Sequence, residues 1–302
     1  MSSLQRKLWR DLVQMKGQVF TIALVVASAI GGFVGCMSTY DSISSARDDY
    51  YRVARFADLF ADVKRAPRSL ASQIAAIPGV ADVDLTIHEI TQLSLPAVPE
   101  LLIASLVGVP AMHAARLNSL HIRRGRPLDP YGAHEALIDE GFARARQVAP
   151  GDEVTILLNG KRETFRIVGV GLSPEFIFAG AAGFMPDPKG FALLWVDEDR
   201  LAASFDMKGA FNHVSVKLMP RASEHEVIRE LDAVLARYGG GGAYGRDEQL
   251  SHRALTQEMN QQRVIGVVLP GVFLWVVGFL LQVTLSRQIT TQREQIAALK
   301  AL

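Results

Sequence analysis

The stretch VIGVVLPGVFLWVVGFLLQVTLS, residues 264–286, contains no Asp, Glu, Lys, Arg or His. As an α-helix it would reach about 33 Å, which is enough to cross the hydrocarbon core of a bilayer. A second stretch, GQVFTIALVVASAIGGFVGCMSTY at residues 17–40, is equally free of these residues. We therefore predict two transmembrane α-helices, at 17–40 and 264–286, with a long segment between them.

Basic residues lie before the first apolar stretch and after the second. They are Arg6, Lys7, Arg10, Lys16, Arg287, Arg293 and Lys300. Because cytoplasmic flanks carry the excess of Lys and Arg, segments 1–16 and 287–302 are predicted to be cytoplasmic and residues 41–263 extracytoplasmic. The first flank also has an apolar stripe at helical spacing, which is typical of an amphipathic helix on the membrane surface.

The first part of the middle segment predicts a small α+β lobe. A strand pattern at 58–64 is followed by a helical pattern that we expect to begin at Pro67. Residues 80–95 and 101–109 then give the pattern of a strand pair. This order of strand, helix and two strands is typical of one α+β layer.

The second part predicts a β-rich lobe inserted at about 113–205. Its strongest signal is the Asn159-Gly160 pair, a typical two-residue hairpin turn between strand patterns. After this lobe, Ser223 and Glu226 form the pattern of a helix capping box. A polar stalk helix at 247–263 is then expected to lead into the second apolar stretch.

Composition and motifs exclude several classes of function. A net charge of +1 does not fit a nucleic-acid-binding protein, and the chain has no P-loop, H-E-x-x-H or C-x-x-C motif. We therefore predict no catalytic residue, no metal site and no cofactor. His88 and His225, each followed by Glu, are interpreted as ordinary structural or surface histidines. Cys36 is expected to be a small buried apolar residue.

Two segments are candidate contact sites. Residues 173–190, SPEFIFAGAAGFMPDPKG, fit neither helix nor strand spacing and predict a long loop. Its apolar side chains, which either contact a cargo or partner or cover the core of the β-rich lobe, are Phe176, Phe178, Phe184 and Met185. The helix at 287–302 has an apolar stripe that either docks a cytoplasmic partner or lies on anionic lipid.

The segment SRQITTQREQIAALKAL, residues 286–302, resembles the cytoplasmic coupling segment of the FtsX and MacB-like family of ABC transporter permeases. In that family an arginine and then R-E-x-I-x-x-L-K-A-L follow the second membrane helix. The matching positions are Arg287, Arg293, Glu294, Ile296, Leu299, Lys300, Ala301 and Leu302. The stretches FADLFADVKRAP, RRGRPL, SPEFIF and MPDPKGFALLW resemble the long permeases of the family, which carry two such halves.

The resemblance implies an α+β extracytoplasmic domain, made of a porter-like lobe with an inserted β-rich lobe, between two transmembrane helices. It implies a permease subunit of the bacterial inner membrane that is not itself an enzyme. A separate cytoplasmic ATPase of the MacB or LolD type would grip the matching residues at 287–300. Such permeases move or extract lipids, lipoproteins, peptides or drugs. Family members have further membrane helices, so we expect this chain to be an N-terminal fragment that ends just after its second helix.

Two alternative functions fit the same arrangement of segments. A sensor kinase or chemoreceptor also has two membrane helices around an outer domain, but a heptad-patterned coil would then be expected after the second helix. A regulator of the FtsX kind would activate a cell-wall hydrolase instead of moving cargo. The docking pattern at 287–302 favours the permease over the receptor.

Overall fold

The computed structural model describes residues 13, 16–96, 98–112, 115–132, 134–178 and 187–300. Its α-helices are α1 (Lys16–Val53), α2 (Leu70–Ala75), α3 (Glu140–Arg146), α4 (Glu198–Ser204), α5 (Glu224–Leu235) and α6 (Leu250–Lys300). Its strands are β1 (Leu59–Pro67), β2 (Val80–Thr86), β3 (His88–Leu95), β4 (Val98–Val109), β5 (His121–Gly125), β6 (Glu135–Asp139), β7 (Glu153–Leu158), β8 (Lys161–Leu172), β9 (Phe191–Asp197), β10 (Ala210–Leu218) and β11 (Tyr244–Gly245). The described chain divides into two compact units. One is Arg47–Thr256, and the other contains the part of α1 before Arg47 and the part of α6 after Thr256.

The unit Arg47–Thr256 contains two sheets. The smaller has four strands in the order β11-β1-β10-β2, and the larger has seven in the order β5-β8-β6-β9-β4-β3-β7. Helices α2 and α5 pack on the smaller sheet through Ile74, Val227 and Leu231, which are buried with the apolar face of β1 and β10. The predicted α+β class, between two apolar helices, is confirmed.

Local signals locate several elements correctly. The chain turns between β7 and β8 at Asn159 and Gly160, whose φ angles of 45° and 83° are those of the predicted hairpin turn. The strands expected in FALLWVDED and NHVSVKLM are β9 and β10. Helix α5 begins after Ser223, but the Ser223 side chain makes no capping hydrogen bond, so the predicted capping box is absent.

Three local expectations are wrong. Pro67 ends strand β1 instead of opening a helix, and α2 begins at Leu70. The single strand expected at 80–95 is two strands, because the chain leaves the smaller sheet after Thr86 and enters the larger sheet at His88. Cys36 is exposed in the described structure, not buried.

The larger sheet extends beyond the range of 113–205 expected for the inserted β-rich lobe. Strands β3 and β4, at 88–109, belong to the seven-stranded sheet, so this sheet includes residues ahead of the range 113–205. The polar helix expected from 247 begins at Leu250, after a short 3-10 turn at Arg246–Glu248.

The second unit, formed by α1 before Arg47 and α6 after Thr256, is a pair of apolar helices. Within the described residues, Val19–Val53 and Leu250–Arg287 are long and apolar enough to cross a membrane. A Cβ atom placed on Gly266 would lie 2.6 Å from the Cβ of Cys36, so only glycine permits the helices to approach this closely. The guanidinium of Arg263 lies 5.8 Å from the ring centre of Tyr40, which adds a cation–π contact.

The contact at Gly266 predicts a site-specific cross-link. A Gly266→Cys substitution should form a disulfide with Cys36, the only native cysteine, after the helices separate by about 1 Å to reach normal disulfide geometry. Loss of free thiol without a dimer on a non-reducing gel would measure it. Gly278→Cys is the matched control, because nothing lies within 4 Å of that position. Equal cross-linking of both variants would contradict the contact.

Candidate functional site

A cavity of about 490 Å³ lies between the two sheets of the unit Arg47–Thr256. Its apolar wall comes from the larger sheet and from the loops before and after β5, through Val107, Leu120, Ile122, Leu128, Leu137 and Trp195. Its polar end is formed by Asp84, Thr86, His88, Ser173, Glu175 and Ser215. This volume and this mixture of an apolar wall with a few polar groups are typical of small-molecule sites.

The change of sheet at Ile87 creates the polar end. Asp84 and Thr86 lie on β2 in the smaller sheet, opposite Ser215 and His213 of β10. His88, one residue beyond Ile87, is already in the larger sheet and pairs with Val107 of β4. Polar groups from both sheets therefore meet where the chain passes between them.

A buried ion pair forms the base of this polar end. His213 is 3% exposed, and its Nδ1 lies 2.7 Å from Oδ1 of Asp62, while its Nε2 lies 3.1 Å from Oε1 of Glu175. Burial alone would lower the pKa of His213, but the two facing carboxylates outweigh burial and raise it to about 10. At neutral pH His213 is therefore an imidazolium with a carboxylate at each ring nitrogen.

Further contacts hold this ion pair in place. The Asn118 amide donates to Oε2 of Glu175 at 2.7 Å and to the Ser215 hydroxyl at 3.1 Å. The ring of His88 stacks on that of His213, with centroids 3.9 Å apart and planes inclined by 14°. Burial first, and then the charge of His213, lower the pKa of His88 well below its usual range, so His88 is neutral.

His88, Glu175 and His213 place their ligand atoms within 4.8 Å of one another, as in some metal centres. Two features make them a poor metal site. The imidazole planes are stacked, so their in-plane lone pairs do not converge on one point, and both nitrogens of His213 already face carboxylates. The group fits an ion pair with a stacked neutral histidine.

Only part of the predicted contact sites lies near this cavity. Phe176 packs against its apolar wall and lines it, and Phe178 is half-buried, whereas Phe184 and Met185 lie outside the described residues. Arg287 is exposed on α6, whose backbone continues to Lys300. Arg293, Glu294, Ile296, Leu299 and Lys300 lie on that helix, but their side chains are not described.

Sequence reasoning missed His213, Asp62 and the cavity. A signal was present, because His213 and Ser215 interrupt the apolar pattern of β10 at alternate positions that face inward. Glu175 likewise follows Pro174 in an otherwise apolar segment. Their partners are distant in sequence, with 151 positions between Asp62 and His213, so no local motif reveals the ion pair.

The fold is an α+β domain joined to two apolar helices that are long enough to cross a membrane. Residues 19–234 match the family described as the MacB-like periplasmic core domain. Since this match covers more than half of the chain, the protein belongs to the FtsX and MacB-like family of ABC transporter permeases. No curated protein sequence matches the chain.

Several solved structures are similar at low sequence identity. The extracellular domain of the noncanonic ABC-type transporter YknZ from Gram-positive bacteria is 15% identical, with a TM-score of 0.40 over 63% of this chain and 98% of that one. The periplasmic region of MacB from Actinobacillus actinomycetemcomitans is 12% identical, with a TM-score of 0.41 over 70% and 95%. A domain of a Porphyromonas gingivalis permease protein is 15% identical, with a TM-score of 0.37 over 65% and 87%.

The ion pair of His213 predicts a specific loss of stability at high pH. Its folded pKa of about 10 lies above the usual value of 6.5, so its stabilisation is complete below pH 6.5 and is lost as the pH rises through 10. Thermal unfolding between pH 6 and pH 10 should show the unfolding free energy falling by about 4 kcal/mol.

A His213→Gln variant should be less stable at pH 7 and should show a flatter dependence on pH over the same range. The matched control is His225→Gln, because His225 is exposed and should leave the wild-type profile unchanged. Parallel profiles for the wild type and His213→Gln would show that His213 is not a buried imidazolium.

Proposed function

We propose that this chain is a membrane permease subunit of an ABC transporter, in which ATP hydrolysis by a separate cytoplasmic ATPase of the MacB or LolD type moves the extracytoplasmic domain. The family supports the permease class. The proposed location is the bacterial inner membrane, with a multi-pass arrangement, both flanks cytoplasmic and residues 41–263 outside. The proposed cargo class is lipids, lipoproteins, peptides or drugs.

One observation carries the coupling proposal: the last residue of β8 and the segment that follows it accept hydrogen bonds from the end of α1 and from the residue just before α6. The Tyr50 hydroxyl, near the end of α1, donates to the Leu172 carbonyl at 3.1 Å. The buried Gln249 amide, just before α6, donates to the Glu175 carbonyl at 2.6 Å. A displacement of either helix end within this unit must therefore shift the segment or break a hydrogen bond.

The start of α6 is bonded to the same segment a second time. The Ser251 hydroxyl accepts a hydrogen bond from the Phe178 N–H at 3.2 Å. The Gln249 side chain also accepts from the His252 N–H at 2.8 Å, as an N-cap does, so one residue begins α6 and holds the Glu175 carbonyl. This arrangement favours transmission of movement through α6 over a flexible tether.

Helix α6 runs without interruption from Leu250 to Lys300, through Pro270. At 1.5 Å per residue its 51 residues extend about 77 Å. The same helix contains the capping contacts, the apolar stretch and the segment 287–300. We propose that the ATPase grips this last segment through Arg287, Arg293, Glu294, Ile296, Leu299 and Lys300.

The docking role predicts a loss of coupling in single variants. Arg293→Ala or Glu294→Ala should lower permease-stimulated ATP hydrolysis about tenfold, because each removes a charged group from the proposed contact. The assay is ATP hydrolysis by a cytoplasmic ABC ATPase of the MacB or LolD type, co-expressed and co-purified with the permease in nanodiscs. Thermal unfolding of the outer domain should stay unchanged.

Gln288→Ala is the matched control, since Gln288 lies on the same helix outside the matching motif. It should retain full stimulation. If no ATPase co-purifies, or if Arg293→Ala and Glu294→Ala stimulate like the wild type, the permease coupling is refuted. A receptor would then be the better interpretation.

A second prediction tests the link at the start of α6. Gln249→Ala leaves the buried Glu175 carbonyl without its donor and should lower the unfolding free energy by about 1–3 kcal/mol. It should also reduce stimulated ATP hydrolysis while the ATPase still co-purifies. Gln261→Ala, on an exposed position of α6, is the control and should change neither quantity. Normal stimulation in folded Gln249→Ala would refute this link.

The loop 173–190 keeps its proposed role as a cargo or partner contact. Phe176 already lines the cavity and so is placed to meet a small molecule there. Phe178 is half-buried, with both its N–H and its carbonyl bonded to Ser251, which favours an anchoring role for that residue.

A further inference from the structure

The polar end of the cavity is acidic. Asp84 and Glu175 line it, and none of the described residues that line it is Lys or Arg. The Glu175 carboxylate pairs with the imidazolium of His213 and accepts a hydrogen bond from the Asn118 amide. Asp84 is the other carboxylate that lines the cavity, and it has no such ionic partner among the described ion pairs.

Asp84 has no cationic partner among the described ion pairs. Its Oδ2 accepts from the Leu117 N–H at 3.3 Å, and its other hydrogen bonds come from backbone groups. The next acidic residue on β2, Asp82, takes both nearby cations, since it pairs with Arg55 at 2.8 Å and with Arg116 at 3.5 Å. Burial raises the pKa of Asp84 above its usual range, and the charge of Asp82 adds to this.

An anionic head group is disfavoured at such a site, because it would face the Asp84 carboxylate, while the nearby imidazolium of His213 is already paired with Asp62 and Glu175. A protonated amine has the opposite charge and donates the hydrogen bonds that a carboxylate accepts. The apolar wall, which includes Leu128, Leu137 and Trp195, can cover an aliphatic or aromatic body.

We propose that this cavity binds a small amphiphile that carries one protonated amine, with its apolar body against Trp195 and Leu137 and its ammonium group on Asp84. The site is specific for a cationic head and excludes the anionic head groups of phosphatidylglycerol or of a fatty acid. Because binding at this site requires no ATPase, it is tested separately from the coupling proposed above.

Trp195 provides a direct readout. The other tryptophans, Trp9 and Trp275, are replaced by Phe in the full chain, which is reconstituted in nanodiscs of zwitterionic lipid. The probe is a medium-chain alkylamine with a bromine at its tail, which quenches tryptophan on contact. Unbrominated alkylamine, alkanol and alkanoate of equal chain length then compete. We expect saturable quenching of Trp195 fluorescence, and competitor affinities that decrease from the amine to the alcohol to the carboxylate.

Asp84→Asn should weaken binding of the amine about tenfold, because one hydrogen bond to a charged group is lost. The cavity should then no longer prefer the amine over the alcohol. Asp82→Asn is the matched control, because Asp82 lies on the same strand but does not line the cavity. It should keep the preference.

Ala111→Phe tests the cavity itself without changing any charge. Ala111 lines the cavity and is partly buried against its apolar wall, so the larger side chain should block entry and abolish the quenching. Thermal unfolding verifies that the variant is folded. Equal affinities for the three competitors, an unchanged preference in Asp84→Asn, or undiminished quenching in folded Ala111→Phe would each overturn the proposal.

Discussion

The burial of one charged imidazolium, that of His213, is the constraint on which the site depends. A buried charge is tolerated only when it is paired and hydrogen-bonded, and removal of one partner of such a pair typically costs about 3–5 kcal/mol. The partners of His213 come from different parts of the fold, Asp62 from β1 and Glu175 from the segment after β8. The charge of one side chain therefore fixes the smaller sheet against the segment that leaves the larger one.

The passage of the chain from one sheet to the other at Ile87 explains why a cavity lies there. Ile87 is fully buried, and its carbonyl accepts from the Gly108 N–H at 2.8 Å, so the crossing is bonded to β4 of the larger sheet. Gly108 is closely packed, since a Cβ placed on it would lie 3.1 Å from Cγ of Glu198. The cavity is lined by residues of both sheets on either side of this crossing, namely Asp84 and Thr86 before it and His88 and Val107 after it.

The sequence predicts those features whose cause is local. Absence of charge over 17–40 and 264–286 is sufficient to identify two apolar helices, and Asn159-Gly160 identifies a hairpin because its left-handed backbone is encoded in those two residues. The crossing at Ile87 is not predictable in this way. The alternation in VADVDLTIHEITQLSL continues through it without Gly or Pro, although the two halves belong to different sheets. The ion pair of His213 likewise depends on residues far apart in sequence.

Glu175 connects the cavity with the start of α6 through two different groups. Its side chain lines the cavity and pairs with His213, while its carbonyl accepts from Gln249 at the start of α6. A bound ligand shifts a conformational equilibrium only by the difference between its binding free energies in the two states. A ligand whose head group lies beside Glu175 would contact the residue whose carbonyl is held at the start of α6. If its affinity differs between two positions of Glu175, linkage requires that the ligand bias the position of the start of α6, and that this position bias the affinity, by the same factor. This shared residue gives the proposed permease a physical route by which movement of a helix can capture or release a ligand.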